Sequence, residues 1–210
     1  MSRLLLGPLY PIIDTAAFRR AGLSPLALAE AIARAGLPAA QFRHKGPFSR
    51  EVFEQAEAVG CILRGAGVRY VVNDRADVAL MLGAEGVHLG QQDLAPARVR
   101  GMVGSSVWLG YSTHNREQLE AAESEPVDYL AIGPIFASGS KENPDPVVGV
   151  AELRKLRPLT TRPLVAIGGI TRANAAEVLD SGVEAVAVIS DLVAADCQAR
   201  LNEWIAATRR

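Results

Sequence analysis

Short apolar runs alternate with amphipathic stretches along most of this chain. Eight such runs lie at 9–13, 39–42, 70–72, 86–89, 107–110, 129–132, 164–167 and 185–189. Continuous apolar runs bounded by Gly-rich or polar turns are typical of strands buried on both faces of a parallel sheet. The pattern therefore predicts eight β-strands.

Helical periodicity fills the segments between these runs. Helices are predicted at 25–35, 49–65, 115–124, 174–180 and 192–208. Ser24 stands directly before Pro25, which matches an N-cap residue followed by Pro at the first helical position. Gly182 lies just past the end of the helix that starts near Asn174, where glycine commonly ends a helix.

Strands that alternate with helices indicate βαβ units and a parallel sheet. Eight repeats fit an α/β fold with a single (β/α)₈ TIM barrel, and residues 1–210 are long enough for one such domain. The rival architecture is an open doubly wound sheet, which usually has fewer strands. No GxGxxG follows the first run, which weakens the dinucleotide-binding form of that rival.

Composition narrows the classes of partner. With 49% hydrophobic residues, 21% charged residues and a net charge of −1, the chain can bury a large core but offers no basic footprint for nucleic acid. No apolar run is long enough to cross a membrane, and the interrupted N-terminus does not resemble a signal peptide. Cys61 and Cys197 lie far apart, which favours a reduced compartment, the cytoplasm. The choice between a monomer and a homo-oligomer stays open.

A cationic stripe follows the second predicted strand. Alternation along an extended chain places Gln41, Arg43 and Lys45 on one side. Active sites of these barrels lie at the carboxyl ends of the strands, where Arg and Lys together suit a phosphate group. The alternative is a solvated strand end that forms ordinary ion pairs.

Two acids follow the third and fourth predicted strands, which are neighbours. Asp74 and Asp93 would repel one another unless a cation or a proton lay between them. Mg²⁺ prefers one or two carboxylates, several waters and phosphate oxygens. Each acid could instead cap a helix, at 75–82 or near Pro96. Together with the cationic stripe, the pair favours a metal–diphosphate site.

Further polar groups follow the later strands. His114 could act as a general acid or base, or it could serve with Ser112 as a hydrogen-bonding or capping group. His88 lies within a strand and is interpreted as a core histidine. Gly168 and Gly169 follow the seventh strand, where backbone N–H groups commonly bind phosphate.

The longest stretch without a predicted element is 133–148. Its first part, residues 133–141, combines small hydroxyl residues with glycine and one lysine, Lys141, which suits a lid that closes over an anion. An ordinary exposed loop is the alternative.

Seven segments, in this order, resemble the thiamine phosphate synthase family: LYPIID, QFRHK, YVVNDRADVALMLGAEGVHLGQQDL, GYSTH, DYLAIGPIFASGSK, PLVAIGGI and VAVIS. The resemblance covers residues 9–192. The combination of NDR with GVHLGQ and the following acid is specific, whereas many phosphate-binding barrels share IGGI. The resemblance implies a (β/α)₈ transferase that joins a hydroxymethylpyrimidine diphosphate to a thiazole phosphate and releases pyrophosphate.

The resemblance also implies site residues. The pyrimidine diphosphate would contact Gln41, Arg43, Lys45, Asn73, Ser112 and Lys141. Mg²⁺ on the diphosphate would be bound by Asp74 and Asp93. The thiazole phosphate would contact Ser138, Ser140, Gly169, Ile189 and Ser190. The catalytic groups would be Arg43, Lys45, Ser112 and Lys141. The family usually has threonine where Ser138 and Ser140 stand, and serine keeps the hydroxyl.

Three other functions are alternatives. The related thiazole tautomerases share the fold and would use His114 as acid–base, but they generally lack the diphosphate metal site. A barrel that only binds a phosphorylated ligand and regulates a partner fits the nearly complete set of charged groups less well. A sugar-phosphate isomerase would need a catalytic Glu or an Asp–Cys type pair at the barrel mouth, and the sequence offers no compelling candidate. The presence of Asp74, Asp93 and the intact cationic stripe favours the synthase.

Overall fold

The strands close into a barrel. The computed structural model describes residues 6–137 and 145–209. In this part of the chain eight parallel strands pair in sequence order, and the eighth pairs with the first. They are β1 (Leu9–Asp14), β2 (Ala39–Arg43), β3 (Arg69–Asn73), β4 (Gly86–Leu89), β5 (Trp108–Thr113), β6 (Tyr129–Ile132), β7 (Leu164–Ile167) and β8 (Ala185–Val188). The predicted (β/α)₈ barrel is confirmed.

At least one α-helix follows each strand. The helices are α1 (Thr15–Arg20), α2 (Pro25–Ala35), α3 (Arg50–Gly65), α4 (Ala76–Leu82), α5 (Pro96–Val103), α6 (Arg116–Ala122), α7 (Gly149–Leu156), α8 (Ala175–Leu179) and α9 (Cys197–Ala207). The Ser24 cap is present as predicted, because its hydroxyl accepts from the Leu26 N–H at 3.3 Å, and Asn115 also caps a helix, since its side chain accepts from the Gln118 N–H at 2.9 Å. Local capping chemistry therefore fixes where α2 and α6 begin.

Two hydrophobic clusters hold the architecture together. One lies inside the barrel and includes Tyr10, Val71 and Tyr129, while the larger one includes Phe42 and Trp204 and packs the helices onto the strands. Alternate residues of each strand face these two clusters, as the strand period of two requires. The alternation expected for β2 is confirmed, because Phe42 belongs to the outer cluster and Gln41 bonds to Tyr10 of the inner one.

Some element bounds differ from the sequence prediction. The closing helix α9 begins at Cys197 instead of 192, because Asp196 caps it by accepting from the Ala199 N–H at 2.9 Å. A short 3₁₀ helix, Ser190–Leu192, precedes it. β5 continues to Thr113, whose hydroxyl donates to the Ala131 carbonyl at 2.9 Å. Cross-strand pairing, which periodicity does not show, extends this strand past the apolar run.

A helix that crosses a bilayer needs about 20 predominantly apolar residues, a requirement that can be compared with the helices in 6–137 and 145–209. None of the helices there has the length and apolar character needed to cross a bilayer.

Candidate active site

The carboxyl ends of the strands gather most of the predicted site residues at one end of the barrel, because parallel strands all end on the same side. This rim carries Gln41 and Arg43 on β2, Asn73 on β3, Ser112 on β5, Asp74 and Asp93 after β3 and β4, Gly169 after β7, and Ile189 and Ser190 after β8. Ser138, Ser140 and Lys141 lie outside the described residues.

An ion pair occupies the rim at β1 and β2. The Arg43 guanidinium donates to the carboxylate of Asp14, which is 3% exposed. The other Asp14 oxygen accepts from the Ala17 N–H at 2.8 Å and begins α1. Asp14 and Arg43 face one another directly in the register of the two strands. Asp14 is not among the site residues predicted from the sequence, although it is the acid that closes LYPIID.

Lys45 and the two acids form a second charged group. The Lys45 ammonium donates to the Asp74 carboxylate at 2.5 Å. Burial raises the pKa of Asp74, and the neighbouring Asp93 carboxylate raises it further, while Lys45 acts in the opposite direction. The structure therefore brings the Asp74 and Asp93 carboxylates close together, and such like charges repel unless a cation or a proton lies between them.

Neither acid caps a helix, so the capping alternative is excluded. α4 has Arg75 as its N-cap residue and α5 has Ala95, and neither makes a side-chain capping bond. Asp93 instead accepts from the Gly90 N–H at 2.6 Å, within its own loop. Asp74 adopts a φ of 64°, a left-handed conformation that non-glycine residues rarely adopt outside functional or turn positions. Both carboxylates are thus held at the rim for reasons other than helix capping.

Asn73 ends β3 with an unsatisfied donor. The residue is 6% exposed, and the side-chain amide nitrogen is buried without a hydrogen-bond partner. A buried donor in this state costs about 1–3 kcal/mol. An acceptor oxygen of a bound ligand would remove this cost, so the site is suited to an oxygen-rich anion.

His88 lies inside the barrel and joins Ser112 to two tyrosines. Its Nε2 lies 2.9 Å from the Ser112 hydroxyl, and its Nδ1 lies 3.0 Å from the Tyr129 hydroxyl. Burial lowers the pKa of His88 to about 4, so the ring is neutral at pH 7. The interpretation of His88 as a core histidine with satisfied nitrogens is confirmed. Ser112 likewise makes a hydrogen bond within the barrel and caps no helix.

His114 is anchored at the end of β5. Its Nδ1 donates to the Gly133 carbonyl at 2.6 Å, since a carbonyl oxygen can only accept. Its Nε2 lies 3.5 Å from a carboxylate oxygen of Asp145. Asp145 belongs to the segment 143–146, for which the sequence predicts no role, and in the structure it lies against His114 at the end of β5.

The two glycines after β7 meet the loop that follows β6. A Cβ on Gly168 would lie 2.6 Å from Pro134, and a Cβ on Gly169 would lie 2.6 Å from the Ala137 carbonyl oxygen. Both have positive φ, 101° and 64°. Close backbone packing therefore requires glycine here, a reason that adds to the predicted approach of phosphate. Ser190 is exposed at the start of its 3₁₀ helix, with its hydroxyl accessible at the rim.

Comparison with known proteins decides the family. The family model described as thiamine monophosphate synthase matches residues 9–192. A thiamine-phosphate synthase of Koribacter versatilis is 46% identical over 206 residues, which cover 97% of each chain. The chain belongs to the thiamine monophosphate synthase family. The family resemblance read from the sequence is confirmed.

Two further proteins are similar to the chain. A thiamine-phosphate synthase of Chloroflexus aurantiacus is 41% identical over 188 residues, covering 90% of this chain and 86% of the relative. A solved structure of thiamine phosphate pyrophosphorylase from Pyrococcus furiosus superposes with a TM-score of 0.83 at 32% identity, covering 96% and 95% of the two chains. These comparisons support the synthase interpretation and do not favour the tautomerase alternative.

Proposed function

We propose that this chain is a transferase that makes thiamine phosphate from hydroxymethylpyrimidine diphosphate and a thiazole phosphate. In that reaction the bond from the pyrimidine methylene carbon to the diphosphate oxygen breaks, and pyrophosphate leaves with the electron pair. The thiazole nitrogen supplies the electron pair of the new carbon–nitrogen bond. The observation that carries the proposal is the charged rim of Lys45, Asp74, Asp93 and Arg43 in a chain of this family.

The acids at the rim fit Mg²⁺. In the part of the chain that the structure describes, no group of three or more His, Cys, Asp or Glu side chains could hold a metal. Mg²⁺ needs fewer, because it binds through one or two carboxylates and takes its other ligands from water and phosphate oxygens. Asp74 and Asp93 would hold the ion. When bound, it would neutralise charge that develops on the departing diphosphate.

The cations and Asn73 would bind the diphosphate directly. Lys45 is about half-exposed and spans from the rim to Asp74, so it can contact a ligand without leaving its carboxylate partner. The buried Asn73 amide would donate to a phosphate or pyrimidine acceptor and gain the hydrogen bond that it lacks. Arg43, held by Asp14, adds a fixed positive charge nearby. Such preorganised donors stabilise developing negative charge more than mobile solvent does.

The same proposal assigns substrate contacts to the remaining residues at the rim. Gln41 and Ser112 would contact the pyrimidine, and Lys141 would reach the same substrate. The thiazole phosphate would lie near the exposed Ser190 hydroxyl, with contacts from Ile189, Gly169, Ser138 and Ser140. No protein nucleophile is required, because the thiazole nitrogen attacks the pyrimidine methylene itself.

The cysteines and the net charge of the chain bear on its compartment and its partners. We place the enzyme in the cytoplasm, acting on small phosphorylated molecules. Two features support this: Cys61 and Cys197 are both free thiols, one exposed and one buried, and the net charge is −1.

The decisive experiment mixes the purified chain with both substrates and Mg²⁺ and measures thiamine phosphate and pyrophosphate. Asp93→Asn should lower kcat about 100-fold, because a Mg²⁺ ligand is lost. Asp77→Asn is the matched control, an exposed acid on α4 paired with Arg75, and its kinetics should match the parent chain.

Two results would contradict the proposal. Full activity of Asp93→Asn with unchanged Mg²⁺ dependence would remove the metal assignment. Absence of thiamine phosphate, together with isomerisation of a thiazole carboxylate phosphate that His114→Ala abolishes, would identify a tautomerase.

A further inference from the structure

A chain of four hydrogen bonds crosses the interior of the barrel. The Gln41 amide nitrogen lies 3.3 Å from the Tyr10 hydroxyl, which lies 3.2 Å from the Tyr129 hydroxyl. Tyr129 lies 3.0 Å from Nδ1 of His88, whose Nε2 lies 2.9 Å from the Ser112 hydroxyl. The two ends of this chain are residues that the proposed function assigns to the pyrimidine substrate. The three residues between them have no role in that assignment.

Chemistry fixes the direction of these hydrogen bonds. The Gln41 amide nitrogen can only donate, so the Tyr10 oxygen accepts and its single proton is left for Tyr129. Tyr129 accepts from Tyr10 and donates its own proton to Nδ1 of His88. The neutral ring then carries its proton on Nε2 and donates to Ser112. The opposite direction would point the buried Tyr10 proton at the amide protons of Gln41, which leaves it without an acceptor.

Close packing holds the side chains of this hydrogen-bond chain in place. The Tyr10 and Tyr129 rings meet edge to face with centroids 6.2 Å apart, and the His88 and Tyr129 centroids are 5.5 Å apart. Gly110 makes room for them, because a Cβ there would lie 2.2 Å from Cζ of Tyr129 and 2.5 Å from Nδ1 of His88. The rings therefore stay in place and the same atoms face one another, so that only the hydroxyl protons and the His88 tautomer set the direction of the hydrogen bonds.

We propose that Tyr10 and Tyr129 are positioning residues that hold the proton of His88 on Nε2. The Ser112 oxygen then accepts from His88, so the Ser112 hydroxyl proton is left to donate toward the substrate. A pyrimidine ring nitrogen can only accept, so this polarity matches it. The identification of the ligand as a pyrimidine rests on the proposed function, whereas the direction of the hydrogen bonds from Gln41 to Ser112 does not.

The first test changes residue 41, at one end of the hydrogen-bond chain, from a hydrogen-bond donor to an acceptor. In Gln41→Glu a carboxylate would accept from Tyr10, so every hydrogen bond would reverse and His88 would carry its proton on Nδ1. Ring ¹⁵N chemical shifts of the whole labelled protein, at about pH 8, separate the two tautomers. The signals of His88 are assigned by their absence in His88→Gln, since the chain has three histidines. We expect Nε2–H in the parent chain and Nδ1–H in Gln41→Glu.

The second test removes the relay. In the Tyr10→Phe background, Gln41→Glu should leave the tautomer of His88 unchanged, because no hydroxyl connects residue 41 to Tyr129. Gln55→Glu, on α3 and away from the barrel interior, controls for the added charge and should leave the spectrum as it is. An Nδ1–H tautomer in the parent chain, or a tautomer that ignores Gln41→Glu while Tyr10 is present, would overturn the proposal.

Kinetics connect the tautomer to function. Tyr129→Phe keeps the packed ring but removes the hydroxyl, so kcat/KM for the pyrimidine diphosphate should fall about tenfold while KM for the thiazole phosphate stays constant. Equal effects on both substrates would show a merely structural role and contradict the proposal. If the ¹⁵N results are as expected but the parent protein makes no thiamine phosphate, the proposed function fails. The proposed direction of the hydrogen bonds is then still supported.

Discussion

At the scale of single residues, burial determines the charge of His88. The residue is 8% exposed, both ring nitrogens are hydrogen-bonded, and desolvation lowers the pKa of His88 from 6.5 to about 4. In the unfolded chain the same ring would take up a proton near pH 6.5. Between these two values the unfolded state binds more protons than the folded state, so acid favours unfolding there.

This difference predicts a pH-dependent stability. The contribution of His88 is fully present above about pH 6.5 and is lost as the pH falls toward 4. A shift of this size corresponds to about 3 kcal/mol. The free energies of unfolding of the parent chain and of His88→Gln, measured by urea titration from pH 7 to pH 4, should differ by an amount that declines accordingly with acid. A difference that is independent of pH would contradict the burial argument.

Residue roles were predictable where they depend on local pattern. Alternation along β2 was enough to place Gln41 and Arg43 on one side, because side-chain direction in a strand follows from position alone. The partners were not predictable in the same way. Asp14 meets Arg43 through the register of β1 and β2, and Tyr10 meets Tyr129 across the barrel from 119 positions away. The sequence shows no signal for either contact until the strands are arranged in space.

At the scale of elements, the glycine turn after β7 is fixed by its neighbour. Gly169 and Gly36 share a φ of 64°, but they differ in space: nothing lies within 4 Å of a Cβ on Gly36, whereas the Ala137 oxygen lies 2.6 Å from a Cβ on Gly169. The two positions therefore separate backbone strain from crowding.

Alanine substitution at Gly36 and at Gly169 should lower the free energy of unfolding by different amounts. Gly36→Ala should cost about 1 kcal/mol of unfolding free energy from the left-handed backbone alone. Gly169→Ala carries the same strain plus overpacking of about 1–3 kcal/mol, and it should also raise KM for the thiazole phosphate because the turn is displaced. Thermal melts and steady-state kinetics of both variants check this. Equal destabilisation of the two, with unchanged KM, would show that the loop after β6 yields to the added methyl group.

Element boundaries were predictable only in part. Four helices or strands whose ends coincide with a clear change of pattern, β4, β6, β7 and α2, match the sequence prediction residue for residue. α1 was missed, because its six residues are too few to show a helical period and its start depends on the Asp14 cap. Short elements stabilised by tertiary contacts lie beyond what periodicity can show.

At the scale of the whole molecule, the two ends of the barrel carry different kinds of residue. The end with the carboxyl termini of the strands carries the acids, amides and hydroxyls of the proposed site. At the opposite end, where β3 and β5 begin, the Arg69 guanidinium lies 4.4 Å from the ring centroid of Trp108, which belongs to the interior cluster. In barrels of this class, residues at that end contribute to stability and not to catalysis.

A pair of substitutions tests this division. Arg69→Ala should lower the free energy of unfolding by about 0.5–1 kcal/mol through loss of the cation–π contact, with kcat and both KM values unchanged. Ser190→Ala removes an exposed hydroxyl at the other end, so stability should stay within about 0.5 kcal/mol. Its KM for the thiazole phosphate should rise about tenfold, because a hydrogen bond to the phosphate is lost. Chemical denaturation and steady-state kinetics on the two variants give both readouts. A change in KM for Arg69→Ala, or none for Ser190→Ala, would show that function does not follow the polarity of the barrel.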